Sequence, residues 1–405
     1  MIILVLNCGS SSIKYQLLNM TESSDSILLA KGIVERIGQP EGLISHKPAY
    51  KEIFEHKRPF TNHIEGINAL LEALISKNHG VISDVQEIDA VGHRVAHGGE
   101  FFTKSSLVDK EVKESIEKCI DLAPLHNPAN LLGITAMEEL LPNIPQVAVF
   151  DTSFHQTMPE HAYFYAIPYD YYVKYRIRRY GFHGTSHQYV AQKACKMSGL
   201  DYDKSKLITC HMGNGSSVTA INNGKSVDTS MGFTPLEGLM MGTRCGDIDA
   251  GVITFIQDKE NLDAKGMNNL MNKDSGLWGI SGASSDMRDL WKSANSGNEK
   301  AKLALDMFIY RVTKYIGAYA AAMNGVDAIV FTGGIGENDW EIRKRISLNL
   351  SYMGAELNVE SNNNERNDKI ISNSDSKIKL IIATTNEELL IAIDTMEIAN
   401  DLKNK

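Results

Sequence analysis

Apolar and polar positions along this chain fall into blocks of changing period, and the blocks repeat. Residues 2–6 form a continuous apolar run suited to a buried strand, 13–17 alternate with period two, and 27–33 supply a third strand. Residues 64–77 switch to helical spacing, with Ile67, Leu70, Leu71 and Leu74 on one face. Residues 89–99 read as a strand opening into a glycine turn. Asn127-Pro128 reads as a capped helix start, and 146–150 as a short apolar strand. Thr185 and Gln188 have capping-box spacing ahead of a helix carried by Val190, Ala194 and Met197.

The pattern then starts again. Residues 208–211 end a strand, 217–221 alternate as another, and Asn223-Gly224 is a strong hairpin signal. Ala304, Phe308, Val312, Ile316, Ala320 and Met323 form an i, i+4 stripe closed by Asn324-Gly325. Residues 328–331 are a buried strand, Asn338 and Glu341 cap the next helix, and 360–377 form a polar surface excursion. Residues 380–384 make a last strand and 386–399 a last helix with Glu387 at its start. Each half opens with strand, glycine/hydroxyl turn, strand and hairpin, which predicts a duplicated α/β architecture.

Composition narrows the function. At 405 residues the chain has room for two or three domains, and 43% hydrophobic with 22% charged residues is ordinary for a globular protein. A net charge of −9 argues against a nucleic-acid partner. Five scattered cysteines without a CxxC pair suggest a reducing compartment. No apolar run is long enough to span a membrane. The first residues turn polar after six and read as a strand rather than a signal peptide. A cytoplasmic location is expected.

Candidate chemistry gathers at three glycine/hydroxyl turns: Asn7 to Ser12, the stretch from His211 and Met212 through Gly213-Asn214-Gly215, and Thr332 to Asn338. Such turns let backbone N–H groups approach an anion, and three of them argue for a nucleotide site. The first is not a P-loop, because both the spacing and the following helix are missing. Lys14 either reaches a phosphate or is a solvated strand lysine. Arg94 offers a fork for carboxylate or phosphate, or serves as a structural ion pair. Arg244 is the arginine of the glycine-rich central stretch. His183 sits at a helix start beside two glycines, a place to meet phosphate, while His187 reads as packing. His126 is a packed histidine or an anion contact. Asp151, at a strand's carboxyl end, meets a ligand or caps a turn. Glu387 caps its helix or faces Mg²⁺.

Taken together, LNCGSSSIKYQLL (6–18), GHRVAHGGE (92–100), APLHNPANLLGI (123–134), FDTSFHQTMP (150–159), YGFHGTSH (180–187), HMGNGSSV (211–218), the run 228–249, FTGGIGEN (331–338) and TNEEL (385–389) resemble the acetate kinase family. That family lies within the sugar kinase, Hsp70 chaperone and actin superfamily. The resemblance implies two duplicated ribonuclease-H-like (actin-like ATPase) domains with a nucleotide cleft between them. Residues 1–150 plus 387–405 would form the first. Residues 151–386 would form the second, with the nucleotide-binding segments and the interface of a homodimer.

The implied reaction is reversible transfer of the ATP γ-phosphoryl group to acetate, giving acetyl phosphate and ADP. By resemblance, Arg94 and Arg244 hold the carboxylate and the phosphoryl group in flight, and His183 stabilises its charge. Asn7 and Glu387 place Mg²⁺, with Mn²⁺ as an alternative, and Asp151 is the catalytic carboxylate. Lys14, His211 to Gly215, Asp286-Met287-Arg288, and Gly334, Ile335, Gly336, Glu337 and Asn338 contact the nucleotide. His126, Phe182 and Pro235 complete the acyl-binding set with Ala96. Acetate, with a pKa near the ~4.3 of a glutamate side chain, is already an anion and needs no general base. Asp151 is therefore expected to organise the metal, its waters or an arginine. Ala96 stands where many family members are expected to carry Val. Spaced i, i+2 from Arg94 on a strand, it would share that residue's face and widen the pocket toward propionate. Propionate or butyrate kinase is the rival within the class, and a Glu387 phosphoenzyme the rival mechanism. An actin- or chaperone-like ATPase would have no reason to keep Arg94, His183 and Arg244.

Overall fold

The computed structural model describes residues 1–22, 25–363 and 367–403. Residues 364–366 of the expected polar excursion and 404–405 of the expected first domain lie outside them. The chain divides into two compact units, Met1–Gln156 with Asn386–Lys405, and Thr157–Thr385.

The first unit is built on β1 (Ile2–Cys8), β2 (Ser12–Glu22), β3 (Asp25–Glu35), β4 (Gly42–Pro48), β5 (Phe54–Arg58), β6 (Ala90–Val95), β7 (Ser106–Leu107) and β8 (Gln146–Phe150). They form one sheet in the order β5-β4-β3-β2-β1-β6-β8-β7. β1 to β5 are an antiparallel meander, while β1, β6 and β8 run parallel. The alternation of β1 sends Leu4 and Leu6 to one face and Ile3 and Val5 to the other. Leu4, Leu6, Ile13 and Leu17 share a core with Ile67, Leu70 and Leu74 of helix His63–Ile75 and Met137 of helix Asn127–Leu140. Ile3, Val5, Val147 and Val149 pack with Ile391, Ala392 and Met396 of the terminal helix Glu387–Lys403. β5 reads Phe-Glu-His-Lys-Arg and is mostly exposed at the sheet edge, so no apolar pattern announced it. The expected Asn127 cap is corrected. His126 holds the N-cap position and makes no side-chain capping hydrogen bond to the helix. Asn127 is buried, with Oδ1 accepting from His97 N at 3.2 Å and Nδ2 donating to His97 O at 2.9 Å.

The second unit contains β9 (Lys206–Met212), β10 (Ser216–Asn222), β11 (Lys225–Thr229), β12 (Ala328–Thr332), β13 (Lys369–Ile370) and β14 (Lys379–Ile382), in the order β11-β10-β9-β12-β14-β13. The long stripe becomes helix Glu299–Ala322, which buries Ala304, Phe308, Val312 and Ile316 in one core with Ile208, Cys210, Val218 and Ala220. Asn223 and Gly224 close the β10–β11 hairpin. β3-β2-β1-β6-β8 and β11-β10-β9-β12-β14 follow one plan, an antiparallel meander on one side of a central first strand and two parallel strands on the other. This is the ribonuclease-H-like arrangement, present twice.

Two expected caps differ here. Helix Gly184–Ser198 starts from His183 in the left-handed region (φ 57°) without a side-chain cap bond, so Thr185 and Gln188 form no capping box. The third glycine turn winds into a short helix, Gly333–Asn338, in which Asn338 Nδ2 donates to Gly334 O at 2.7 Å. Asp339 caps the next helix, Trp340–Leu348, by accepting from Ile342 N at 3.0 Å. No helix among the described residues is long and apolar enough to cross a membrane.

Candidate active site

Parallel pairing sets Arg94 beside Val149, and Asp151 N donates to Val95 O at 3.0 Å, so Arg94 and Asp151 share one strand end. Asp151 takes the guanidinium on two oxygens, Nε at 2.9 Å and Nη2 at 2.5 Å. Nη1 donates to Asn7 Oδ1 at 3.4 Å. The Asp151 charge holds the Arg94 pKa above its ordinary value against the opposing effect of burial. Asn7, Lys14, Arg94, Glu387 and Glu388 line one cavity of about 300 Å³. Burial pushes Glu387 up to about 7; Arg94 opposes the rise, while Asp151 and Glu388 reinforce it. Two oxygen donors, Asn7 and Glu387, on a cavity wall with a carboxylate that holds its proton unusually tightly suit a hard cation that keeps some of its waters. Among the described residues no group of three His, Cys, Asp or Glu forms a closed metal cage.

Ala96 is placed differently from expectation. β6 ends at Val95, and Ala96 lies beyond it, buried, with its N–H donating to Asn130 Oδ1 at 3.0 Å. Strand alternation no longer applies past Val95, and Ala96 is not on the wall of the Arg94 cavity. His126 is exposed at its helix start.

In the second unit, the β9–β10 turn carries Gly213-Asn214-Gly215, with Gly213 N donating to Ser216 Oγ at 3.1 Å. A Cβ placed on Gly215 would stand 3.5 Å from Arg244 Nη1 and 3.6 Å from His183 Cε1. A backbone turn, a guanidinium and an imidazole thus bound one small space. Arg244 Nη1 donates to Pro235 O at 3.2 Å and lies 3.8 Å from Met241 Sδ; burial lowers its pKa. Phe182 packs in a buried cluster with Met231 and Met241, neither singled out from the sequence. His183 stacks on His211 at 4.3 Å, and His211 Nδ1 meets Ser186 Oγ at 2.8 Å. The Ser217 hydroxyl lies 3.0 Å from His183 Nδ1 and 2.7 Å from His187 Nε2, and His187 Nδ1 lies 2.7 Å from Thr209 Oγ1. His187, expected only to pack, belongs to the histidine network.

Part of the expected nucleotide set shares one cavity, without His211 and Gly215, whereas Lys14 lines the first unit's cavity. Gly213 and Asn214, Asp286 to Arg288, and Gly334, Ile335 and Asn338 line one cavity of about 1150 Å³. Trp291 and Trp340, which no motif flagged, line it too. Three expected contacts turn inward instead. Met212, Gly336 and Glu337 are buried, and Glu337 Oε1 accepts from Gly333 N at 3.2 Å and Thr385 N at 3.0 Å. Asp286 caps helix Met287–Asn295 and pairs with Arg288 at 2.7 Å.

The family model described as acetokinase family matches residues 2–393. The acetate kinase of Carboxydothermus hydrogenoformans is 56% identical over 397 residues, covering 98% of this chain and 98% of that protein. The crystal structure of Porphyromonas gingivalis acetate kinase superposes with a TM-score of 0.95 at 50% identity, covering 98% of this chain and 99% of that one. A propionate kinase from Francisella tularensis superposes at 0.89 with 42% identity, covering 98% and 99%. The fold is that of the actin-like ATPases. Within it, the chain belongs to the acetokinase family.

Proposed function

We propose that this protein transfers the γ-phosphoryl group of ATP to acetate, reversibly and directly. An acetate oxygen attacks the γ-phosphorus, the bond to the β–γ bridging oxygen breaks, and ADP leaves with that electron pair. The observation that carries this reading is that the Arg244 guanidinium and the His183 imidazole both come close to the backbone of the Gly215 turn, two charge-stabilising groups at one glycine turn. Phosphoryl transfer asks chiefly for alignment and charge stabilisation. Arg244 and His183 act on the group in flight, and Arg94 on the acceptor carboxylate. Asp151, whose two oxygens are taken by Arg94, aims that guanidinium. The cavity holding Trp291 and Trp340 suits the nucleotide. Asn7 and Glu387 are the residues to hold Mg²⁺, with Mn²⁺ as an alternative. When bound, such a cation offsets charge on the phosphate oxygens. A Glu387 phosphoenzyme is unnecessary in this scheme.

Acetate is favoured over propionate as acceptor, because the wider pocket argued from Ala96 has no support from its position. Exposed Tyr169, Phe255 and Tyr310 on the second unit support a homodimer formed through it, and the unpaired thiols support a cytoplasmic setting. A coupled assay of ADP release against acetate, propionate and butyrate tests the reaction. Acetate is expected to give the highest kcat/KM. ADP release that ignores the carboxylate would leave only a slow ATPase and overturn the proposal.

A further inference from the structure

We infer that the first sheet carries a second anion site, built by Lys31 and Lys47 and taking a phosphate-class anion. β3 and β4 pair with Lys31 opposite Lys47, and β2 sets Gln16 opposite Lys31. Asn7 pairs with Lys14, and Gln16 follows Lys14 by two residues, so all five side chains emerge on one face. They line a single cavity with Arg94. Like charges directly opposite on neighbouring strands repel. Among the described residues neither Lys31 nor Lys47 has an ion-pair or hydrogen-bonding side-chain partner. The pair therefore leaves positive charge on this face that a bound anion would offset.

Charges of both signs line the cavity, together with Val5, Ile33 and Ile391. Glu387 and Glu388 act on Arg94 at one end, and Lys14 acts on Glu387. In the sheet order Lys31 stands three strands and Lys47 four strands from Arg94. At about 4.8 Å per strand these are roughly 14 and 19 Å, too far for the lysines to touch an acceptor carboxylate held by Arg94. Two ammonium groups with the amide donor of Gln16 match a tetrahedral anion carrying more than one charge near neutral pH. Its source is either free orthophosphate or one end of a linear polyphosphate.

Calorimetric titration of the full chain at low salt with orthophosphate and with tripolyphosphate tests the site. The double variant Lys31→Ala/Lys47→Ala is expected to bind at least about tenfold more weakly. Lys31→Arg/Lys47→Arg should retain binding, and Arg244→Ala, which alters the proposed reaction site, should retain it as well. Both lysines are exposed, so folding is not at stake. A Lys31→Gln/Lys47→Gln variant with an unchanged melting curve gives the same readout. A tripolyphosphate preference abolished in the double variant upholds the site and identifies polyphosphate as its ligand, whereas equal affinities uphold it for free phosphate. Undiminished binding in the alanine and glutamine double variants overturns the inference, as does binding lost only with Arg244→Ala. The titration reads binding and not turnover, so its outcome is independent of whether acetate is the acceptor.

Discussion

Asp151 grips Arg94 side-on, Nε at 2.9 Å and Nη2 at 2.5 Å, while Nη1 donates to Asn7 Oδ1 at 3.4 Å. A carboxylate committed in this way fixes an arginine's plane. Asp151→Asn should therefore lower kcat by roughly 10²- to 10³-fold, the range for losing one aimed charge in a transition state. The pH–rate profile should keep its shape, because no proton carrier is removed. Loss of one limb of that profile in Asp151→Asn would return Asp151 to proton transfer. Arg94→Lys should recover only part of the activity missing in Arg94→Ala, since an ammonium has no planar fork.

Ser217 stands between two imidazoles, 3.0 Å from His183 Nδ1 and 2.7 Å from His187 Nε2. Ser217→Ala removes a shared partner from both rings. We expect kcat to fall about tenfold with little change in the KM for ATP, which corresponds to ~1.4 kcal/mol of transition-state stabilisation. Ser217→Thr, which keeps the hydroxyl, should restore most of it. A rise in KM at constant kcat would place Ser217 in nucleotide binding instead.

Gly215 and Gly333 separate function from folding. A Cβ on Gly215 meets nothing closer than 3.5 Å, so Gly215→Ala should fold normally and place a methyl group in the phosphoryl space, cutting turnover. Gly333 has φ +76°, and its Cβ would approach Met212 O to 2.7 Å. Gly333→Ala should lower the melting temperature, with a loss of ~1–3 kcal/mol from backbone strain. Melting curves and initial rates on both variants check the contrast; equal stability losses would reject it.

Asp394, on the terminal helix, is pushed up from 3.8 to about 6 by burial, with Glu397 adding to the rise and a hydrogen bond from Ser105 opposing it. Its unfolded form ionises first. Stability is therefore lost as pH climbs from about 4 to about 6, and the deficit is constant above that. Asp394→Asn cannot ionise, so its advantage over the natural chain should grow by about 1 kcal/mol between pH ~5 and pH ~7.5. Thermal melts at the two pH values measure it. A difference that does not change with pH would mean the carboxyl is not the source.

Where a segment's own residues determine its state, the sequence was easily read. β1 and the stripe of helix Glu299–Ala322 are set by their apolar period, and the duplicated order of elements followed from such blocks. The helix starts were misread where tertiary contacts override local preference. Asn127 spends its amide on His97, and Gly333 winds the third turn into a helix. Arg94 and Asp151 were both named, yet their pairing depends on the parallel register of β6 and β8, which no local pattern encodes. Lys31 beside Lys47, and Ser217 between two histidines, are likewise products of register. The strand alternation used to place Ala96 stops one residue before it.

The terminal helix Glu387–Lys403 completes the core of the unit that begins the chain, by covering Ile3, Val5, Val147 and Val149. This has a consequence for synthesis. As the chain leaves the ribosome, residues 1–156 emerge with one side of their sheet bare, and it stays bare until residue 387 and those after it have been made. The segment Thr157–Thr385 has no such wait, since every strand of its own sheet lies within it. The middle of the chain is thus able to reach its final packing first. The beginning meanwhile spends the whole of translation with an apolar surface for chaperones to shield.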